Sequence, residues 1–246
     1  MKKQENGFMK IMTENKKDRK MGKIIVIEGT DSSGKETQSK KLYERLAEKG
    51  INVRKITFPN YESPACTPVK MYLAGEFGEV ASDVNPYPVS AMFAIDRYAS
   101  YKTDWEEFYK SGGVLVTDRY VQSNMIHQAS KISDEEKKKE FLNWLDDLEF
   151  EKIGIPRPDC VIFVNMPTEF ARELMKNRNN KITGEKVKDI HEKDEAYMKK
   201  SYENACKMAK DYKWKEIMCV EDDKLKTIEK ISDEIFNTVM SEVFGG

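Results

Sequence analysis

From Lys23 onward, short β-branched apolar runs alternate with long stretches in which apolar residues recur at helical spacing. Such alternation is typical of a parallel sheet covered by helices on both faces. The apolar runs predict five strands, at 23–28, 53–57, 114–117, 160–165 and 216–220. The amphipathic stretches predict six principal helices, at 34–49, 87–110, 134–147, 168–176, 189–212 and 225–243. The pattern therefore predicts an α/β fold, a five-stranded parallel sheet flanked by helices in a three-layer sandwich.

Two polar segments lack this periodicity. Residues 1–21 are rich in lysine, and we expect them to form a disordered amino-terminal extension outside the fold. Residues 22–246 have a length suited to one domain with a single core. Within that domain, the segment at about 177–189 contains Gly184 and several cations, among them Arg178. It is either a plain surface loop or a small basic lid that closes over phosphates.

Composition narrows the classes of protein that the chain can represent. Lysine and arginine number 42 against 43 aspartates and glutamates, so no net basic field indicates broad nucleic-acid binding. The apolar runs have strand length, which predicts neither a membrane span nor a secretory segment and favours a cytoplasmic protein. The four scattered cysteines lack the spacing of a zinc site, and we interpret them as reduced packing residues.

The first predicted strand leads directly into a glycine-framed loop and then into a helix. The loop reads Gly-Thr-Asp-Ser-Ser-Gly-Lys from Gly29 to Lys35. Glycines let successive backbone N–H groups face one anion, and a helix amino terminus adds partial positive charge. The lysine supplies a mobile cation for the β- and γ-phosphates of a nucleotide. This strand–loop–helix context predicts a P-loop that binds ATP through Gly29, Thr30, Asp31, Ser32, Ser33, Gly34, Lys35, Glu36 and Thr37.

One position departs from the P-loop pattern. Glu36 occupies the place where serine or threonine ordinarily binds Mg²⁺ through its hydroxyl group. A carboxylate is also a hard oxygen ligand, so Glu36 could bind the metal directly or through water, or Thr37 could replace it. In a further interpretation, Glu36 repels ATP and the loop is degenerate.

Four more blocks follow in order along the chain. They are Phe58-Pro59-Asn60-Tyr61, Phe93-Ala94-Ile95-Asp96-Arg97, Asp118-Arg119-Tyr120-Val121-Gln122-Ser123-Asn124 and Pro156-Arg157-Pro158-Asp159. From Lys23 to near its carboxyl terminus, the chain resembles the thymidylate kinases. The resemblance implies a P-loop NTPase fold, transfer of the γ-phosphoryl of ATP to dTMP with Mg²⁺ as cofactor, and a homodimer.

The chemistry of these blocks suits a nucleotide acceptor. Phe93 and Arg97 are four residues apart on a predicted helix, so the ring could stack on a base while the guanidinium donates to a base carbonyl. Phe93 could instead be a core aromatic. Asp118 ends an apolar strand, at the sheet edge where ligands bind, and could hold Mg²⁺ through water. Arg119 could contact the acceptor phosphate or form a structural ion pair. Asn124 offers a donor and an acceptor to a pyrimidine edge.

The resemblance assigns further roles. Phe58 and Pro59 would lie beneath the monophosphate, Ser123 would belong to the acceptor site, and Arg178 would be a catalytic arginine of the lid. Asp31 would lie near the acceptor phosphate and the metal, although it could equally hold an Asx turn. Tyr61 replaces an arginine of the family, and His127 replaces a tyrosine beside the sugar.

These assignments give a set of catalytic candidates, Lys35, Arg119, Asp31 and Arg178. The metal candidates are Glu36 and Asp118. The substrate-binding candidates are Phe58, Pro59, Phe93, Arg97, Arg119, Ser123, Asn124 and His127. The sequence leaves two other functions open, a kinase for another deoxynucleotide and a nucleotide-binding regulatory protein that has lost catalysis.

Overall fold

The computed structural model describes residues 21–175 and 194–245. Its centre is a parallel sheet of five strands in the order β2-β3-β1-β4-β5. The strands are β1 (Lys23–Glu28), β2 (Val53–Thr57), β3 (Val114–Asp118), β4 (Cys160–Asn165) and β5 (Lys215–Met218). All four neighbouring pairs run parallel, which confirms the predicted five-stranded sheet.

Helices cover both faces of the sheet. They are α1 (Lys35–Glu48), α2 (Thr67–Ala74), α3 (Pro86–Ser100), α4 (Glu106–Lys110), α5 (Val121–His127), α6 (Glu135–Asp146), α7 (Thr168–Met175), α8 (Glu195–Asp211) and α9 (Ile228–Phe244). On one face, Leu42 and Leu46 of α1 pack with Ile235 of α9. On the other face, Trp105 and Phe141 are fully buried in a second cluster. The predicted three-layer sandwich is confirmed.

The burial of the central strands explains why the sequence predicted them clearly. In β1, Ile24, Ile25, Val26 and Ile27 are all at most 1% exposed. A parallel strand covered on both faces reads as a continuous apolar run, because neither set of alternating side chains reaches water. Strand β1 is the middle strand of the sheet, so the residues that follow it lie at the centre of the sheet edge.

Several elements differ from their predicted bounds. The helix predicted at 87–110 is interrupted by a π-helical turn at Tyr101–Trp105, which periodicity does not reveal. Helices α2 and α5 were not predicted, because eight and seven residues are too short for a clear helical period. Strand β5 ends at Met218, and a short hairpin follows, Val220–Glu221 with Lys224–Leu225. Its turn residues, Asp222 and Asp223, have φ values of 49° and 57°, which aspartate tolerates better than most residues.

The predicted extension, except Met21, and the predicted lid at 177–189 lie outside the described residues. Each of the four cysteines lies within the described ranges and is a free thiol, as expected for packing residues. Among residues 21–175 and 194–245, no helix combines the length and apolar character needed to cross a membrane.

Candidate active site

The carboxyl ends of β1 and β3 form the edge of the sheet at which the predicted motifs meet. Ile27 pairs with Asp118 in the register of these two strands. The glycine-framed loop leaves β1 and enters α1 at Lys35. A Cβ atom added to Gly29 would lie 2.8 Å from the carbonyl oxygen of Val164, so this position has room only for glycine. Gly34 has a φ of 87° at the start of the helix. The loop therefore has the curled backbone that a phosphate cradle requires.

Lys35 is buried, at 5% exposure, and folds back on the loop. Its Nζ donates to the carbonyl oxygen of Thr30 at 2.5 Å and lies 3.4 Å from Ser33 Oγ. Burial, followed by the nearby guanidinium of Arg119, lowers the pKa of Lys35 to about 7. An incoming phosphate would favour the charged form of Lys35, because an anion beside the ammonium group compensates for the water that burial removes.

Arg119 lies directly after β3 and joins several of the predicted residues. Its backbone has a φ of 67°, an uncommon value for a residue with a side chain and one that occurs often at functional sites. Its Nη2 donates to Asp31 Oδ1 at 2.5 Å. Its Nη1 lies 3.2 Å from Ser123 Oγ and 3.3 Å from His127 Nε2. Since a guanidinium can only donate, the His127 nitrogen accepts in this contact.

Glu28 belongs to the same network and was missed in the sequence. It is fully buried at the end of β1, and its Oε1 accepts the backbone N–H of Gly29 at 3.0 Å. Both carboxyl oxygens lie 3.0 Å from Ser123 Oγ. Burial raises the pKa of the Glu28 carboxyl, while Arg119 and Lys35 oppose that rise. The available signal was a carboxylate that closes an otherwise apolar strand just before the glycine loop.

A cavity of about 70 Å³ lies beside Arg119. It is lined by Asp31, Pro59, Tyr61, Leu73, Phe93, Arg119, Ser123, Asn124, His127 and Gln128. Most of the predicted acceptor residues therefore surround one pocket next to the glycine loop. Gln128 was missed, although it follows Asn124 by four residues and so lies on the same side of the chain at the end of α5. It is 1% exposed, and its Oε1 has no hydrogen-bond partner in the described part of the chain.

Two predicted substrate residues do not line this pocket. Phe58 is 3% exposed and packs in the core on Tyr120, with ring centroids 5.9 Å apart. Only Pro59 of this pair reaches the pocket. The ring of Phe58 supports the turn from within, and its role beneath the monophosphate stays a prediction.

Arg97 also departs from the expected arrangement. It is 1% exposed, and its guanidinium forms a bidentate pair with Glu149, with Nε 3.1 Å from Oε2. Phe93 faces the pocket, whereas Arg97, one turn later, faces the protein interior. The physical reason is the buried carboxylate of Glu149, which the sequence pattern does not place beside α3. Phe93 lines the pocket and Arg97 does not, and the predicted contact of Arg97 with a base carbonyl stays a prediction.

Asp118 and Glu36, the predicted metal residues, have different surroundings. Asp118 is 3% exposed at the end of β3, and Glu36 is exposed in the first turn of α1. Within the described ranges, no group of three histidines, cysteines or carboxylates could form a complete metal cage. Mg²⁺ needs no such cage, because it is usually held by one or two carboxylates together with substrate phosphates. Hard oxygen donors beside a phosphate loop fit this ion.

The remaining lid prediction concerns Arg178, which lies outside the described residues. Arg172, on α7 before the predicted lid segment, is paired with Glu195 at the start of α8.

A larger cavity, of about 300 Å³, lies between α5, α6 and the beginning of β4. Its lining includes Met125, Leu145 and Trp214 but none of the predicted site residues. The chemistry of the lining residues, and not the volume, therefore identifies the pocket beside Arg119 as the candidate active site.

Comparison with known proteins shows the family to which the chain belongs. The sequence profile of the family described as thymidylate kinase matches residues 27–235. The chain belongs to the thymidylate kinase family. The thymidylate kinase of Mycobacterium tuberculosis strain H37Rv is 31% identical over 172 residues, which are 70% of this chain and 78% of the relative. That of Plasmodium falciparum isolate 3D7 is 29% identical over 222 residues, 90% of this chain and 91% of the relative.

A solved structure of a thymidylate kinase from Candida albicans gives the same result at the level of fold. It has a TM-score of 0.65 and 20% sequence identity, and the match covers 90% of this chain and 92% of the other. The resemblance and the fold inferred from the sequence are thus confirmed for this thymidylate kinase family member.

Proposed function

We propose that the protein transfers the γ-phosphoryl group of ATP to dTMP and forms ADP and dTDP. The observation that carries the proposal is one pocket, lined by Phe93, Asn124 and Gln128, that opens beside Arg119 and the glycine loop. The acceptor and the donor would therefore meet at one edge of the sheet. Membership of the thymidylate kinase family supports this reaction.

The donor half of the site is the curled loop. Backbone N–H groups from Thr30 to Lys35 would bind the phosphates of ATP, aided by the amino terminus of α1. Lys35 would leave its contact with Thr30 and follow the γ-phosphoryl group, which places a positive charge where negative charge spreads in the transition state.

The acceptor half supplies alignment. The Phe93 ring would contact the base, and the amides of Asn124 and Gln128 would bind its polar edge. A buried amide oxygen without a partner, as in Gln128, favours a ligand that brings an N–H donor, and thymine has one at N3. His127 would lie beside the sugar, and Arg119 would bind the acceptor phosphate, with Asp31 holding its second nitrogen.

Asp118 and Glu36 would hold Mg²⁺ together with the phosphates. When bound, the ion would neutralise phosphate charge. The residues of the chain would align the two nucleotides and exclude water. Arg178 would add a cation from the lid segment.

The prediction for Glu36 is tested by metal titration of two variants. Glu36→Gln should raise the Mg²⁺ concentration needed for half-maximal rate by about tenfold, because a neutral amide binds the ion less strongly. Glu36→Ser should change the ratio of rates with Mg²⁺ and Mn²⁺, since a hydroxyl is a shorter ligand. ATP affinity, measured without metal, should change little.

The matched control is Glu44→Gln, which changes an exposed carboxylate on the same helix. Identical metal curves for wild-type protein and both Glu36 variants would show that Glu36 is not a metal ligand.

The proposed assembly is a homodimer. Ile95 and Tyr98 lie on the outer face of α3 and are 54% and 42% exposed, an apolar pair that a second copy of the chain could cover. We also place the enzyme in the cytoplasm and assign it no nucleic-acid partner. The four free thiols and the near equality of basic and acidic residues support these two assignments.

Acceptor preference tests the proposed reaction directly. Initial rates with dTMP, dUMP, dCMP, dGMP and UMP at saturating ATP should give the highest kcat/KM for dTMP. Formation of dTDP is measured by chromatography, so that hydrolysis of ATP alone is not counted as transfer. His127 replaces a tyrosine beside the sugar, which makes the comparison of UMP with dUMP informative, because these two acceptors differ only by the 2′-hydroxyl group. A clear preference for dGMP would overturn the proposal.

A further inference from the structure

We propose that Glu28 is a positioning residue for phosphoryl transfer, which acts through Ser123 to hold the Arg119 guanidinium toward the acceptor phosphate. The inference rests on the proposed function, because it concerns the same site. Asp31 and Glu28, which lie within ion-pair distance of Arg119, have different surroundings. Asp31 lines the pocket, whereas Glu28 is fully buried behind it.

The contacts form a continuous chain from β1 to the pocket. Glu28 is anchored by the backbone N–H of Gly29, which donates to its Oε1 at 3.0 Å. Ser123 Oγ lies 3.0 Å from both oxygens of this carboxylate. The next link is Arg119, whose Nη1 lies 3.2 Å from Ser123 Oγ and 3.7 Å from Glu28 Oε1.

The hydrogen-bonding capacity of each group determines which group donates and which accepts in this series of contacts. A carboxylate can only accept, a guanidinium can only donate, and a serine hydroxyl has one hydrogen. Ser123 therefore donates its hydrogen to Glu28 and accepts from Arg119. Burial raises the pKa of Glu28, while Arg119, Lys35 and the Gly29 N–H oppose that rise and favour the ionised form that this arrangement requires. The carboxylate thus determines which way the hydroxyl points.

This orientation changes what Ser123 can do in the reaction. With its hydrogen directed to Glu28, the hydroxyl has no donor left for the acceptor phosphate. Its remaining capacity is to accept from Arg119. Ser123, predicted as a substrate residue, is better described as the link between Glu28 and Arg119.

The benefit of this link is preorganisation. An arginine side chain loses conformational entropy when it is held in one position. If the guanidinium were mobile, this entropy loss would add to the activation free energy of the reaction. Asp31 holds Nη2 from the pocket side, while Ser123 and Glu28 hold Nη1 from behind. The guanidinium is therefore ordered before the acceptor arrives.

The test is a double-mutant cycle that combines Glu28→Gln with Arg119→Lys. The introduced amide has the size of the original carboxyl and can still accept from Gly29, but it offers N–H groups to Ser123. Glu28→Gln should lower kcat for dTMP phosphorylation by about 10-fold to 100-fold. The KM for ATP should change less than about threefold, because the donor loop is intact.

In the Arg119→Lys background, Glu28→Gln should lower kcat by less than about threefold. Lysine lacks the forked guanidinium through which Glu28 is proposed to act. Ser123→Ala should reproduce most of the loss in kcat. The matched control is Asp159→Asn, since Asp159 Oδ2 accepts the backbone N–H of Ile24 at the other end of β1. It should leave kcat near that of the wild type.

Equal losses from Glu28→Gln in both backgrounds would overturn the inference, since an effect on the fold does not depend on Arg119. A near-native kcat for Glu28→Gln would also overturn it. These results differ from failure of the proposed function. A wild-type protein that transfers no phosphoryl group to dTMP overturns both proposals, whereas an active wild-type protein with additive variants overturns only the role of Glu28.

Discussion

Replacement of Lys35 by methionine is expected to lower kcat for dTMP phosphorylation by about 100-fold to 1,000-fold. Methionine keeps much of the apolar stem but removes the only side-chain cation within the glycine loop itself. The loss should appear mainly in kcat, because backbone N–H groups still bind the phosphates while the charge on the transferring group is no longer neutralised. Steady-state rates at saturating ATP and dTMP measure the effect.

The same variant should be at least as stable as the wild type without nucleotides. Lys35 is buried near Arg119, and its pKa is lowered to about 7, so the folded protein holds its positive charge unfavourably. Removal of that charge relieves the cost. Lys40→Met is the control on the same helix, because Lys40 is exposed to solvent. Phosphoryl transfer at a near-native rate by Lys35→Met would contradict the assigned role.

Substitution of Glu149 by glutamine is expected to lower the free energy of unfolding by about 3–5 kcal/mol. Glu149 and Arg97 are 0% and 1% exposed and form a bidentate pair. Loss of one charge leaves the other uncompensated in a place that water does not reach. Arginine cannot release its proton at ordinary pH, so the charge left on Arg97 stays buried. Urea denaturation measures the change.

Arg97→Met should lower the free energy of unfolding less than Glu149→Gln does, because the buried carboxyl group of Glu149 can take up a proton when Arg97 is lost. Burial already raises the pKa of Glu149, and the pair with Arg97 opposes that rise. The double substitution Arg97→Met with Glu149→Leu should recover much of the loss. Arg157→Met breaks an exposed pair with Asp146 and should cost less than about 1 kcal/mol. A loss of similar size for Glu149→Gln and Arg157→Met would contradict the importance of burial.

Much of the fold could be predicted from periodicity, because the central strands are buried on both faces and their neighbours are amphipathic. The bounds of β1, β2 and β4 agree with the predicted ranges. Short helices such as α2 and α5 could not be predicted in this way, since they contain only two turns. The π-helical turn at Tyr101–Trp105 could not be predicted either, because it changes the backbone hydrogen bonding without ending the amphipathic pattern.

The candidate site was predicted in part. Asp31, Arg119 and Asn124 could be found because each lies in a short motif whose place in the chain indicates the sheet edge. Glu28 and Gln128 were missed, because burial and the absence of a hydrogen-bond partner are properties of the folded chain. The contribution of residues 176–193 is a prediction that lies outside the described structure.

The sequence by itself determined the phosphate loop, the alternation of the five sheet strands with the long helices, and the family, because these depend on residue types at fixed local spacing. The tertiary structure decided which side chains meet. It joined Glu28 to Ser123, 95 residues later in the chain, and Arg97 to Glu149, 52 residues later. The physical reason is that a buried charge takes whichever partner the packing brings within reach, and local spacing contains no information about partners that are distant in the chain.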